Sequence, residues 1–147
     1  MNKLDNLKLI SKLDKSEVAK SISLLPKQCA QVWNDLKDIS IPPAYKKIQN
    51  IVVNGMGGSA LGSHIIRSLY GENLKVPMRI IHGYDLPAFV NSKTLYIASS
   101  YSGATEEVLA TITQALKRKA KILIVCGGGK LAQLKKRHRL PGYVFEP

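Results

Sequence analysis

A doubly wound parallel α/β sheet, preceded by a helical arm, is the fold class this sequence predicts, and three observations carry the prediction. First, short apolar runs at 51–53, 76–81, 94–98, 122–126 and 143–145 take turns with segments of helical period. Second, these runs are apolar throughout instead of alternating with polar residues. That pattern suits strands covered on both faces, as in a parallel sheet. Third, glycines and hydroxyls follow the runs directly, at 55–59, 100–105 and 127–129. In open α/β sheets, ligands bind outside the carboxyl ends of the strands.

The arm is expected over residues 1–48. Ser16 is placed to cap a helix carrying Val18, Ala19, Ile22 and Leu25. Pro26 then suits the first turn of a second helix, where Cys29, Val32, Trp33 and Leu36 recur at helical spacing. Ile41-Pro42-Pro43 ends the arm. The domain proper is expected over 49–147. After its first strand a helix is expected over 60–70, closed by Gly71. A second covers 105–118, with Val108, Leu109, Ile112 and Leu116 on one face. A short basic helix covers about 130–138.

With 147 residues and 45% hydrophobic content, the chain can bury one core and not two. It has no apolar run of about 18 residues. Its first twenty residues mix charge with apolar side chains and hold no secretory core, so a cytoplasmic location is expected. Cys29 and Cys126 lie in no metal-binding spacing, so two reduced, mostly buried thiols are expected and no metal. The net charge of +12 is uneven: residues 117–147 carry nine Lys/Arg against the single acid Glu146. No aromatic residue lies among Lys117, Arg118, Lys119, Lys121, Lys130, Lys135, Lys136, Arg137 and Arg139. That weakens the case for stacking on single strands, and a solvated surface is the plainer reading.

Two motifs carry chemistry. Asn54-Gly55-Met56-Gly57-Gly58-Ser59-Ala60 follows the first strand and opens a helix. Glycines let backbone approach a ligand, and the helix N-terminus suits an anion. Gly55-x-Gly57-x-x-Ala60 also satisfies a dinucleotide fingerprint. That reading needs an acid about 20 residues on, where Lys75 stands, so no dinucleotide cofactor is expected. Ser99-Ser100-Tyr101-Ser102-Gly103-Ala104-Thr105-Glu106-Glu107 sets three hydroxyls around a glycine at another helix start. Hydroxyls, backbone N–H groups and a helix dipole together suit a phosphate monoester. Capping by Ser102, with Glu106 and Glu107 against the dipole, accounts for one hydroxyl and not for all three. Gly127-Gly128-Gly129-Lys130-Leu131 lacks the Ser/Thr of a P-loop and reads as a flexible rim or a plain turn. His64, His82, His138 and Asp85 have no telling partner in sequence.

In order, NGMGGSALG, YDLPAFVN, TLYIASSYSGATEE and GGGKL resemble the N-terminal sugar-isomerase (SIS) domain of the bifunctional phosphoglucose/phosphomannose isomerases. The resemblance covers nearly the whole chain and implies a flavodoxin-like sheet. It also implies metal-free interconversion of glucose 6-phosphate, mannose 6-phosphate and fructose 6-phosphate through an enediol. The implied phosphate contacts are Gly58, Ser59, Ser100, Ser102 and Thr105. Ala104 departs from the family pattern, where an asparagine is usual. The resemblance places the base glutamate and ring-opening histidine in a second SIS domain and a partner subunit. No catalytic residue is therefore assigned here, and the chain alone is expected to be inactive. A hexose 6-phosphate is the expected ligand, with a homodimer or a complementary C-terminal SIS chain as partner. A membrane is not expected, nor nucleic acid. A phosphosugar-sensing module without catalysis, and a nucleic-acid module using the basic C-terminal segment, are the alternatives.

Overall fold

The computed structural model describes residues 5–146, which split at Asp38/Ile39 into two compact units. The first unit is helical, with α1 over Leu7–Leu13 and α2 over Val18–Asp35. Two expectations for it are corrected. Ser16 does not cap α2. The Asp14 carboxylate instead accepts from the Val18 and Ala19 N–H groups, both at 2.8 Å, and Glu17 turns left-handed at φ 52°. Nor does Pro26 start a new helix, because α2 runs through it. A proline inside a helix costs about 3 kcal/mol. The stripe of Val18, Ile22, Leu25, Cys29, Val32 and Leu36 nevertheless keeps one helical phase across it. Cys29 is exposed, against expectation, and Cys126 is buried.

The second unit is the predicted doubly wound sheet. Its strands are β1 (Asn50–Asn54), β2 (Met78–Ile81), β3 (Thr94–Ser100), β4 (Lys121–Cys126) and β5 (Gly142–Val144). They pair in the order β2-β1-β3-β4-β5, all parallel. The helices are α3 (Gly58–Tyr70), α4 (Glu106–Lys117) and α5 (Gly129–His138). Right-handed crossovers put α3 on one face of the sheet and α4 and α5 on the other. The core lies under α4 and α5, where Val52, Tyr96, Val108, Ile112, Ile122, Ile124 and Leu131 are almost wholly buried. Each contributes about 1.5–3 kcal/mol by leaving water. Strand order reverses between β1 and β3. Asn54 pairs with Ala98, and β3 runs on to Ser100, so the two motif loops leave the sheet side by side.

One polar network sits inside that core. The Asn54 Nδ2 group donates to Thr111 Oγ1 at 2.6 Å, and the Tyr96 hydroxyl shares a 2.7 Å bond with the same oxygen. Burial pushes the Tyr96 hydroxyl up to about 12, with the Thr111 and Asn54 bonds opposing the shift. The unfolded chain ionises this group near pH 10 and the folded chain near 12. Its contribution is complete below pH 10 and is lost as pH rises toward 12, by about 1.4 kcal/mol per unit. Urea melts at pH 9 and 11.5 are expected to show this loss, and Tyr96→Phe is expected to reduce it.

Candidate functional site

The site grows from two strand-to-helix turns at the point where strand order reverses. In the first, Gly57 adopts φ 51°, ψ −126°, and α3 begins one residue later. Ser59 N donates to Met56 O at 3.0 Å, and Ala60 N to Gly57 O at 3.1 Å. That leaves the Gly58 N–H at the helix start without a protein acceptor among the described residues, and no side chain caps α3.

In the second turn, Gly103 N donates to Ser100 O at 3.2 Å and to Ser100 Oγ at 3.0 Å. Ser100 is 1% exposed. Its hydroxyl bonds Thr105 Oγ1 at 2.6 Å and lies 3.5 Å from Ser102 Oγ. Thr105 is the N-cap residue of α4, yet its hydroxyl turns to Ser100 and no side chain caps the helix. Ser102 does not cap α4; its hydroxyl oxygen accepts from Ala104 N at 3.2 Å. All three hydroxyls therefore lie within one short chain of contacts at the start of α4.

Alternation along β3 joins the two turns. Ser100 faces α4, so Ser99 faces α3 and donates to Ser59 O at 2.7 Å. Tyr101 N donates to Ser59 Oγ at 3.0 Å. Between the turns opens a cleft of ≈ 630 Å³ lined by Gly58, Ser59 and Ser100 together with Met56, Tyr101 and Phe145. Gly58, Ser59 and Ser100 thus meet in one cleft, while Ser102 and Thr105 join it through Ser100 and do not line it. Ser99, Tyr101 and Phe145 were missed by sequence reasoning. Strand period alone could have found Ser99. Phe145 needed the pairing of β5 with β4, which brings its ring 5.6 Å from that of Tyr101.

The third glycine cluster is a brace. Gly127 N donates to Tyr101 O at 3.0 Å, and Leu131 N to Gly103 O at 2.9 Å. A Cβ on Gly103 would overlap the Gly128 carbonyl oxygen. The glycines here allow two backbones to touch.

The titratable groups nearby hold the frame. His82 Nδ1 lies 2.7 Å from Gly55 O and so carries a proton, and its ring stacks on His64 at 5.5 Å. Glu106 leans to the Tyr84 hydroxyl at 3.5 Å, whose pKa is raised first by the charge of Glu107. Neither carboxylate nor imidazole is among the residues lining the cleft. Among the described residues, no three His, Cys, Asp or Glu gather as a metal site, and no helix is long and apolar enough to cross a membrane.

No family model matches the chain. Curated proteins do. The chain is 41% identical over 113 residues to the bifunctional phosphoglucose/phosphomannose isomerase of Caldicellulosiruptor bescii, covering 77% of this chain and 33% of that one. It is 39% identical over 88 residues to the same enzyme of Thermoplasma volcanium, covering 60% of this chain and 28% of that one. A D-glucosamine-6-phosphate 4-epimerase of Sulfolobus acidocaldarius is 32% identical over 106 residues, covering 69% of this chain and 33% of that one. Among solved structures, Vibrio vulnificus NanR complexed with ManNAc-6P superposes with TM-score 0.59 at 19% identity, over 86% of this chain and 52% of that one. Tagatose-6-phosphate ketose/aldose isomerase of Escherichia coli gives 0.51 at 16%, over 85% and 34%. At these identities the structures speak for the fold alone. The chain is a sequence relative of the bifunctional phosphoglucose/phosphomannose isomerases, has the SIS fold, and spans about a third of the length of those it matches.

Proposed function

We propose that this domain binds the phosphate of a hexose 6-phosphate and contributes that half-site to an aldose–ketose isomerase acting on glucose 6-phosphate and mannose 6-phosphate. The hydroxyl cluster of Ser100, Ser102 and Thr105 at the uncapped start of α4, beside the uncapped start of α3, carries the reading. Ser102 and Thr105 donate hydroxyls to the phosphate, the helix N-termini donate N–H groups, and buried Ser100 fixes Thr105. Gly58 lets backbone approach, and Ser59 sets the distance between the turns through Tyr101. The relatives' names support a sugar 6-phosphate, since they include an isomerase and an epimerase.

Moving a proton between C1 and C2 requires a positioned base. With no carboxylate or imidazole lining the cleft, that base comes from a further domain or a second chain. The test is a thermal-shift titration. Fructose 6-phosphate at a hundred times its Kd adds about 2.7 kcal/mol to the folded state, roughly 10 °C in Tm. Unphosphorylated fructose and NAD are expected to give no shift. No shift with the phosphosugar, or an equal shift with fructose, would reject the reading.

A further inference from the structure

The phosphate reading uses the carboxyl end of the sheet and leaves the opposite end unexplained. In a parallel sheet, each helix returns the chain to the amino end of the next strand. Lys117 ends α4, Lys119 lies in the turn that follows and Lys121 opens β4. Lys135, Lys136 and Arg137 lie in the last turn of α5, and Arg139 in the turn to β5. Because β4 and β5 are paired neighbours, with Gly142 beside Ile124, the fold brings both connections to the amino end of the same strand pair. Lys117, Lys119, Lys136, Arg137 and Arg139 are exposed. No salt bridge among the described residues involves any of the seven.

The acids of this unit lie elsewhere. Asp85, Glu106, Glu107 and Glu146 follow strands or open a helix at the carboxyl end, and Glu72 precedes β2 on the far edge. Helix dipoles account for a cation or two at each helix end. Lys119 follows the C-cap of α4 and Arg139 is the C-cap of α5, so the dipole favours their charge but not their backbone conformation. Both hold left-handed positions, φ 56° and 50°, where glycine or asparagine is the easier residue. We propose that this corner, formed by the α4–β4 and α5–β5 turns, docks on the phosphate backbone of a nucleic-acid duplex.

The composition of the corner selects that partner. Protein interfaces have aromatic and apolar centres depleted in Lys. No aromatic residue lies among the seven cations in sequence, and the neighbouring Tyr45 is half-buried with its hydroxyl bonded to Ile122 O at 2.9 Å. Single strands are held by base stacking on exposed aromatics. A duplex backbone needs only a dense row of Lys and Arg, and binds without regard to sequence. Duplex and phosphosugar sit at opposite ends of the strands and do not compete.

Fluorescence anisotropy of a labelled 20-base-pair DNA duplex with the full chain tests this. Neutralising about four phosphates predicts about a hundredfold weaker binding at 200 mM than at 50 mM salt. The triple variant Lys117→Ala, Lys136→Ala, Arg137→Ala is expected to lose tenfold or more at 50 mM. An equal charge loss at the opposite edge of the sheet, Arg67→Ala, Lys75→Ala, Arg79→Ala, is expected to cost under threefold. Both variants must keep the parent melting temperature, and fructose 6-phosphate must leave duplex binding unchanged. No duplex binding at 50 mM salt would overturn the proposal, as would equal losses in the two variants. Tighter binding to polyglutamate or to phosphatidylserine vesicles than to duplex would also overturn it, assigning the corner to an acidic protein or a membrane. The fructose 6-phosphate thermal shift is independent of these outcomes, so failure here leaves the phosphate site untouched.

Discussion

Gly103→Ala is expected to destabilise the second unit by about 3 kcal/mol, lowering Tm by roughly 11 °C. Two separate costs add. Gly103 sits at φ 64°, and a left-handed residue with a Cβ costs about 1–2 kcal/mol. The added methyl also overlaps the Gly128 carbonyl oxygen, and overpacking against backbone costs about 1–3 kcal/mol. The braces from Gly127 N to Tyr101 O and from Leu131 N to Gly103 O hold both backbones in place, so neither loop can retreat cheaply. Thermal melts by circular dichroism read the effect. A loss below about 1 kcal/mol would show that the two glycine loops do not touch. The contrast is Gly58→Ala, where a Cβ meets open space and φ is not positive, so its stability is expected to change by under about 1 kcal/mol.

Ser102→Ala is expected to do the opposite, sparing stability and removing ligand. Ser102 is exposed and holds only the Ala104 N–H at 3.2 Å and a 3.5 Å contact with Ser100. Its loss should cost no more than about 0.5 kcal/mol of folding. A hydrogen bond to a charged phosphate is worth about 1.5–3 kcal/mol, so fructose 6-phosphate affinity should fall about ten- to a hundredfold. Thr105→Val keeps shape and removes the hydroxyl that pairs with Ser100 at 2.6 Å. It should weaken binding similarly and cost about 1 kcal/mol of stability. Calorimetric titration of both variants separates the two effects. Unchanged affinity in both would place the phosphate somewhere else.

Much of this was legible in the sequence for identifiable reasons. The apolar runs at 51–53, 94–98 and 122–126 read as strands of a parallel sheet, and the structure pairs them in parallel, with alternate residues of β3 and β4 buried and half-buried. Clustering of Ser100, Ser102 and Thr105 was visible because a strand end, a glycine turn and a helix start fall within six residues. What escaped depended on contacts distant in sequence. The phase of the apolar stripe across Pro26 outweighed the local rule that proline starts or breaks a helix. Asp14 outcompeted Ser16 because its carboxylate reaches two N–H groups at once. The 127–129 glycines read as a flexible rim or a plain turn, because their close fit against Ser102 and Gly103 depends on a loop distant in sequence. Phe145 could not be placed at the cleft without knowing that β5 lies beside β4.

The most direct test is an amide ¹⁵N–¹H NMR titration of the full chain with fructose 6-phosphate. The account predicts perturbations confined to residues 57–60 and 99–107, at the two strand-to-helix turns, with residues 117–121 and 135–139 unmoved. Perturbations at those basic turns, or none at 102–107 under saturating sugar phosphate, would contradict it.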